Sequence, residues 1–475
     1  MSVEILVNVT PRECRAALIQ QGVVQELYVE RANRRGFAGN IYRGRVNRVL
    51  PGMQAAFVDV GLERAAFLHA TDIAPDAEIG ALVNEGDLLL VQVRKDPIGT
   101  KGARLTTDVI LPSRFLVHLP RGSGIGVSAR IEDGAERLRL RQAIGTDAGE
   151  RGGWILRTAA EGADAAALRA DREFLERLWT LIRERSASAP AGTRLHEDLA
   201  LPLRLLRDLS GEAPTRILVD EPAAQAAMVE FAGTFMPEFA GCIELHAGER
   251  PLFDQFGVDE EIERALDRKV ALKSGGYLMF DQTEAMTTID VNTGAYVGHR
   301  DLEDTIYRTN LEAAAAIARQ LRLRNLGGIV IADFIDMTEP AHRESVLQAL
   351  GQALATDHVR TQISGVSALG LVEMTRKRTR ESLEHQLCRP CPNCDSRGFV
   401  RTAETVAYQI FREVLRRAGQ CDFRELVLLA HQDVIELLLD GESAAVTDLA
   451  RATGKPIRLQ AEAQFAEEQF DVVLV

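Results

Sequence analysis

The stretch from Gly275 to Asp333 constrains the fold of this chain more than any other. Tyr277 to Phe280 and Met286 to Val291 read as two strands, with Asp281-Gln-Thr-Glu284 as the turn of a hairpin. A long helix is predicted from Asp304 to Arg324, with Leu311, Ala315, Ala318 and Leu321 on one stripe. Gly327-Gly328 ends it, and Ile329 to Ile331 is a wholly apolar strand running into Asp333. Two strands separated by one helix pack as neighbours in a sheet, so an α/β layer is expected with Asp290 and Asp333 side by side near the C-terminal strand ends, where such folds collect ligand groups. Adjacent carboxylates suit one hydrated Mg²⁺, which takes one or two carboxylates and fills its other positions with water and phosphate oxygens. Asn292, two residues on, points to the same side as Asp290. The plainer alternative is that each aspartate caps the turn after its strand.

Upstream, Phe37 to about Val117 holds short β-type runs (Ile41 to Val49, Ala55 to Val60, Ala65 to Leu68, Leu88 to Val93) divided by Pro51-Gly52 and Glu85-Gly86-Asp87, the pattern of a small all-β barrel. Phe57 and Phe67 lie in its strands and Lys101 in a Gly-Thr-Lys-Gly turn. The rings serve either as core or, beside an arginine-rich stretch, as stacking platforms for unpaired bases. Val127 to Ile131, Trp154 to Arg157 and a helix from Ala163 to Arg185 come next, then a linker by composition over Ser186–Gly192. Thr215 to Val219 is expected as a buried strand and Ala223 to Phe231 as a helix.

Lys and Arg number 56 against 69 Asp and Glu, a net charge of −13 that argues against an indiscriminate nucleic-acid coat. Cations are nevertheless clustered: Arg31, Arg34, Arg35, Arg43, Arg45 and Arg48 run without an acid between them, and Arg376, Lys377, Arg378 and Arg380 form a second group. Such runs are ordinarily solvated faces unless the segment also asks for phosphate. No run approaches the ~18 uncharged apolar residues of a membrane span, and Glu4, Arg12, Glu13 and Arg15 interrupt the N-terminus, so neither a span nor a signal peptide is expected. Six cysteines are too few for a disulfide scaffold of this size, which points to a reducing, cytoplasmic setting. Three of them, Cys388, Cys391 and Cys394, have ligand spacing; His385 could complete an intrachain set, whereas two copies of Cys391 and Cys394 sharing one Zn²⁺ would make a homodimer. A redox dithiol is the competing reading, without the strand-then-helix setting it needs. Arg157-Thr158 pairs a guanidinium fork with a hydroxyl, suited to a terminal phosphate, although a salt-bridged structural arginine fits equally simple chemistry.

Together these segments resemble the ribonuclease E/G family over nearly the whole chain: Ile41-Tyr-Arg-Gly-Arg-Val, Ala55-Ala-Phe-Val-Asp-Val-Gly, Gly102-Ala-Arg-Leu-Thr-Thr107, Leu156-Arg-Thr-Ala159, Thr288-Ile-Asp-Val-Asn-Thr293, Asn310-Leu-Glu-Ala-Ala, Arg319-Gln-Leu-Arg-Leu-Arg324 and Asp333-Phe-Ile-Asp-Met337. Thr379 to His385 with the cysteines after it looks more like the G branch than the E branch, and the long disordered tail with which the E branch assembles a degradosome is not expected here. Ala332 stands where the family usually has a larger aliphatic.

The resemblance implies a multidomain α/β protein: an RNase H-like subdomain in two parts (1–36 and 201–265), an S1-type RNA-binding barrel inserted in it (37–118), a 5′-sensor region (119–200), a DNase I-like catalytic subdomain (266–386), a zinc link (387–398) and a small α/β dimerisation domain (399–475). Carried over by residue, Asp290 and Asp333 match the Mg²⁺ pair and Asn292 the neighbouring catalytic asparagine. Phe57, Phe67 and Lys101 match the RNA contacts of the barrel, Arg157, Thr158 and Arg360 the 5′-monophosphate pocket, and Cys391 and Cys394 the zinc ligands; Asp336 falls in the same block as Asp333 and is a candidate for supporting the metal site, its role left open. The implied activity is Mg²⁺-dependent endonucleolytic hydrolysis of single-stranded A/U-rich RNA in ribosomal RNA precursors and messenger RNA, by a homodimer or tetramer, leaving a 5′-phosphate. A non-catalytic RNA-binding adaptor is the alternative, and intact Asp290, Asn292 and Asp333 argue against it.

Overall fold

The computed structural model describes residues 3–32, 35–74, 76–97, 102–145, 152–209, 214–294, 302–420 and 423–475. Met1–Gln386 and Leu387–Val475 form two compact units. In chain order the first carries β1 (Val3–Val9), β2 (Glu13–Gln20), β3 (Val23–Arg31), β4 (Ile41–Leu50), β5 (Ala55–Asp59), β6 (Ala66–His69), β7 (Leu88–Lys95) and β8 (Arg104–Thr106). After these come β9 (Leu111–Pro112), β10 (Leu116–Leu119), β11 (Ile125–Val127), β12 (Gly153–Leu156), β13 (Thr193–His196), β14 (Arg216–Val219) and β15 (Ile243–Leu245). The unit ends with β16 (Lys269–Ala271), β17 (Tyr277–Gln282), β18 (Met286–Asn292), β19 (Gly328–Asp333), β20 (Thr361–Val366) and β21 (Val372–Arg376); the second unit has β22 (Leu426–Ala430), β23 (Ile457–Ala461) and β24 (Phe470–Leu474).

One mixed sheet, β15-β14-β1-β2-β3, joins the start of the chain to residues some 200 positions later, so everything between is an insertion into it. Within that insertion β4 pairs with both β5 and β7 and closes β4-β5-β6-β8-β7 into a five-stranded barrel, which leaves no free edge in the ring. Gly44 permits the closure: a Cβ there would sit 2.5 Å from a methyl of Val58 and 3.2 Å from methyls of Val60 and Val91, all in the barrel core. The sheet β11-β12-β10-β9 is covered by the helices Gly134–Ala143 and Ala165–Ser188. The second helix, capped by Asp164, runs through Ser186 to Ser188, so the segment expected as a linker starts only at Ala189.

The sheet β16-β17-β18-β19-β21-β20 positions the candidate site. β18 and β19 are parallel neighbours joined by the helix Leu302–Leu323, as the strand-helix-strand order requires. That helix buries Ala313, Ala314, Ile317, Ala318 and Leu321 against Leu278, Ile289, Val330 and Met374. Its stripe runs through Ala314 and Ile317, and Ala315, expected inside, is exposed: a long helix has several candidate apolar faces, and contact with the sheet selects one. The hairpin β17–β18 is longer than expected, with its turn at 283–285, where the Thr283 hydroxyl donates to the Met286 carbonyl. In the second unit β22 pairs parallel with β23 and antiparallel with β24, and Val406, Ile410 and Val414 of the helix Ala403–Ala418 share its core. Among the described residues no helix is long and apolar enough to cross a membrane.

Candidate active site and nucleic-acid face

Alternation along β18 sends Ile289 and Val291 into the core and leaves Asp290 and Asn292 on the other face. Asp290 is the register partner of Asp333, the last residue of β19, and both carboxylates are exposed. Asn292 donates from Nδ2 to Asp290 Oδ2 over 2.7 Å, fixing that carboxylate. Partial burial, then the charges of Asp290 and Asp336, push the Asp333 carboxyl above the ordinary aspartate range. A carboxyl pKa raised by folding means that the fold loses stability as pH rises through that range, because the ionised Asp333 is then repelled by Asp290 and Asp336. Two hard oxygen donors side by side, with a third carboxylate near, fit a hydrated divalent cation. Among the described residues no group of three or more His, Cys, Asp or Glu side chains converges, so any such ion would take its other ligands from water and substrate.

On the barrel, Ala56, Val58, Ala66 and Leu68 are fully buried, whereas the alternate residues Phe57 and Phe67 are half-buried and lie outside the barrel's core cluster. They are register partners on β5 and β6 and meet edge to face at 6.2 Å and 71°. The row continues on both sides, Arg48 opposite Phe57 and Arg104 opposite Phe67, so cations flank the rings across four strands. Of the arginine run, Arg45 and Arg48 are exposed here, while Arg31 pairs with Glu13 at 2.7 Å, Arg35 with Glu197 at 2.6 Å, and Arg43 donates to the Ala189 carbonyl at 2.6 Å. Arg34 and Lys101 lie outside the described residues.

The second cationic cluster is divided: Arg376 is buried and Arg380 half-buried, whereas Lys377 and Arg378 are exposed. Arg376 forms a buried pair with Asp357 at 2.7 Å, Arg378 donates to the Gly327 carbonyl at 2.8 Å, and Arg380 stacks over Tyr28 at 3.9 Å. Tyr28 in turn donates to Glu26, which also pairs with Arg322 at 2.8 Å. Burial raises the Glu26 pKa, but the Arg322 charge and the Tyr28 hydroxyl outweigh it and hold the carboxyl below its usual range.

Arg157 donates to the Ser113 carbonyl at 2.6 Å and pairs with Asp208 at 2.9 Å, so its fork is occupied within the chain. The Thr158 hydroxyl meets Ser128 Oγ at 2.9 Å. Two residues on from Ser128, Arg130 donates to the carbonyls of Asp357 at 2.9 Å and His358 at 3.2 Å, which brings this region to the segment carrying the exposed Arg360. In the second unit Cys391 and Cys394 bracket a turn closed from Ser396 N to the Cys391 carbonyl at 3.3 Å, with Asp395 and Ser396 in the left-handed region. Backbone N–H groups of Cys394 and Asn393 lower the Cys391 thiol pKa, favouring the thiolate that binds metal. Cys388 is exposed, and His385 Nδ1 lies 2.7 Å from the Ser382 hydroxyl.

The profile of the ribonuclease E/G family matches residues 110–379, and that of the RNase E/G thioredoxin-like domain matches 390–474. The chain is 53% identical to ribonuclease G of Escherichia coli K12 over an alignment of 489 positions that covers all of both proteins. It belongs to the ribonuclease E/G family. Ribonuclease G of Haemophilus influenzae is 50% identical, again over both full lengths, and ribonuclease E of E. coli K12 is 36% identical over 93% of this chain and 43% of that protein. The family profile spans Asp290, Asn292, Asp333, Arg157, Thr158 and Arg360. Sequence reasoning missed Arg45 and Arg48 as the exposed members of their run, and Asn310, whose signal was a polar residue in the apolar stripe of a helix.

Proposed function

We propose that this endoribonuclease hydrolyses single-stranded A/U-rich RNA with Mg²⁺ held by Asp290 and Asp333, leaves a 5′-phosphate and a 3′-hydroxyl, and favours 5′-monophosphorylated substrates such as ribosomal RNA precursors and messenger RNA. The observation that carries the reading is the direct register of two exposed carboxylates on parallel strands in a chain of this family. In this reading the inserted barrel (37–118) is the S1-type RNA-binding module. The split sheet (1–36 and 201–265) is RNase H-like, 119–200 the 5′ sensor, 266–386 the DNase I-like catalytic part, and 387–398 and 399–475 the zinc link and dimerisation domain. When bound, the ion supplies charge neutralisation at the scissile phosphate and a polarised water. Asn292 keeps the Asp290 carboxylate aimed and offers its second amide hydrogen to a phosphate oxygen. Phe57 and Phe67 stack on bases while Arg45 and Arg48 neutralise the backbone between them.

Cleavage of matched oligonucleotides differing only at the 5′ end, with and without Mg²⁺, tests the whole reading. With Arg157→Gln the preference for a 5′-monophosphate should vanish while basal cleavage remains, since Arg157 would exchange Asp208 for the phosphate, with Thr158 and Arg360 as its co-ligands. An undiminished preference would leave Arg157 as a purely structural tie between Ser113 and Asp208.

Phe57→Ala and Phe67→Ala should each weaken RNA binding by about 1–3 kcal/mol with little change in melting temperature, because neither ring fills the barrel core. Filter binding and calorimetry read the two effects separately; normal affinity with early melting would make the rings core residues.

Two thiolates per chain cannot satisfy a tetrahedral ion, so we assign Zn²⁺ to Cys391 and Cys394 of two copies in a homodimer. Elemental analysis should find about one zinc per two chains, and Cys391→Ser should release it and shift the dimer toward monomer in sedimentation. A full zinc per chain would assign the ion to an intrachain set with Cys388.

A further inference from the structure

Asn310 lies in the middle of the helix that connects the two aspartate-bearing strands and is completely buried, beside Ala313, Ala314 and Ile317. Asparagine is a poor helix former, and a buried carboxamide costs stability unless its hydrogen bonds are met. Here both ends are met by one residue: Nδ2 donates to the Ile335 carbonyl at 2.8 Å, and the Ile335 N–H donates to Oδ1 at 3.1 Å. The amide thus stands in for a neighbouring strand at the point where the sheet ladder stops. Residues 334–337, which carry the chain on from Asp333 past Asp336, belong to no helix or strand. Their main chain is held by side chains instead: Asn310 at Ile335, and Arg343 at the Met337 carbonyl at 2.8 Å. Glu303 extends the anchorage, accepting from the Thr338 hydroxyl at 2.7 Å and from the N–H groups of Thr338 and Glu339. Phe334 and Met337 are buried on either side, so the direction in which Asp336 emerges follows from how Ile335 is fixed.

We propose that Asn310 is a positioning residue for the metal site: its two bonds to Ile335 set the course of the chain leaving Asp333 and thereby the placement of the Asp333 and Asp336 carboxylates relative to Asp290. The proposal rests on the reading of Asp290 and Asp333 as the Mg²⁺ pair. Groups that orient ligands without touching the ion typically change metal affinity by 10- to 100-fold when removed. Asn310→Leu keeps the side-chain volume and removes both bonds. The full-length variant should need about 10- to 100-fold more Mg²⁺ for half-maximal cleavage and bind Mn²⁺ correspondingly more weakly by electron paramagnetic resonance. It should approach the wild-type rate at saturating Mg²⁺ and bind RNA normally in EDTA. If Asn310→Leu melts below the assay temperature, Asn310→Ser, which can satisfy one bond at most, is read in the same way. A lowered maximal rate with unchanged Mg²⁺ midpoint and Mn²⁺ affinity would overturn the positioning role. Asp333→Asn is the control for the underlying reading. If it binds Mn²⁺ as the wild type does, the metal-site assignment fails; if it loses Mn²⁺ while the Asn310 variants retain it, only the positioning role fails.

Discussion

Asp290→Asn and Asp333→Asn should each lower Mg²⁺-dependent cleavage at least ~100-fold while leaving the fold and RNA affinity nearly unchanged. The amide has the shape of the carboxylate, so packing is kept, and both side chains are exposed, so little buried contact is lost. What disappears is one of two adjacent charges, and with it half of the field proposed to hold a divalent cation at the strand ends. Melting in the absence of divalent ions should even favour the variants slightly, because the Asp290–Asp333 repulsion is relieved. Lowering the pH should weaken Mg²⁺ affinity in the wild type from above the ordinary aspartate range, since Asp333 takes up its proton early, and this dependence should flatten in Asp333→Asn. Single-turnover cleavage, Mn²⁺ binding and RNA retention in EDTA distinguish these effects. Wild-type turnover in either variant would remove that residue from the site.

Breaking the buried pair between Arg376 and Asp357 is expected to have the largest effect on stability. Both side chains are almost completely buried, the guanidinium grips both carboxylate oxygens, and it also donates to the Leu326 carbonyl at 2.8 Å. Asp357→Leu leaves the guanidinium uncompensated inside the protein, which costs about 3–5 kcal/mol. Urea denaturation followed in the Met1–Gln386 unit should show a correspondingly lower midpoint. Combining Asp357→Leu with Arg376→Met should recover much of the loss, because apolar replacement of both partners removes the unpaired charge. A single variant as stable as the wild type would show that water reaches this pair. Through the carbonyls of Asp357 and His358, which Arg130 holds, the same variant should also disturb the segment leading to Arg360.

The parts of the site that were legible in the sequence are those governed by short-range rules. Strand-helix-strand order forces parallel neighbours, so the adjacency of Asp290 and Asp333 followed from Ile329 to Ile331, the glycine pair and the helix before them. Period-two alternation placed Asn292 on the side of Asp290, and the 2.7 Å bond between them is its consequence. Phase over longer distances was harder to read. Ala315 lies one step from Ala314 on the same helix, and contact with β17, β18 and β19 decides which of them is inside.

The barrel rings show the limit differently. Alternation puts Phe57 opposite in face to Ala56 and Val58, but whether that face is core or solvent depends on β4 reaching β7 to close the ring. Likewise Arg45 and Arg376 are the same residue type in similarly cationic runs, and one is exposed on the barrel while the other is sealed against Asp357.

By itself, then, the sequence determined element types, their order, the two aspartates near their strand ends and the Cys391/Cys394 spacing, because each depends on residues within a helical turn, a strand or one crossover. The tertiary structure alone decided which charges stay exposed, as Arg45 and Arg48 do, and which hold the protein together. Glu26 and Arg322 meet across 296 positions, and Arg376 and Asp357 across 19. A charge is tolerated in the interior only when such a distant partner arrives with the right geometry, and no local pattern records that arrival.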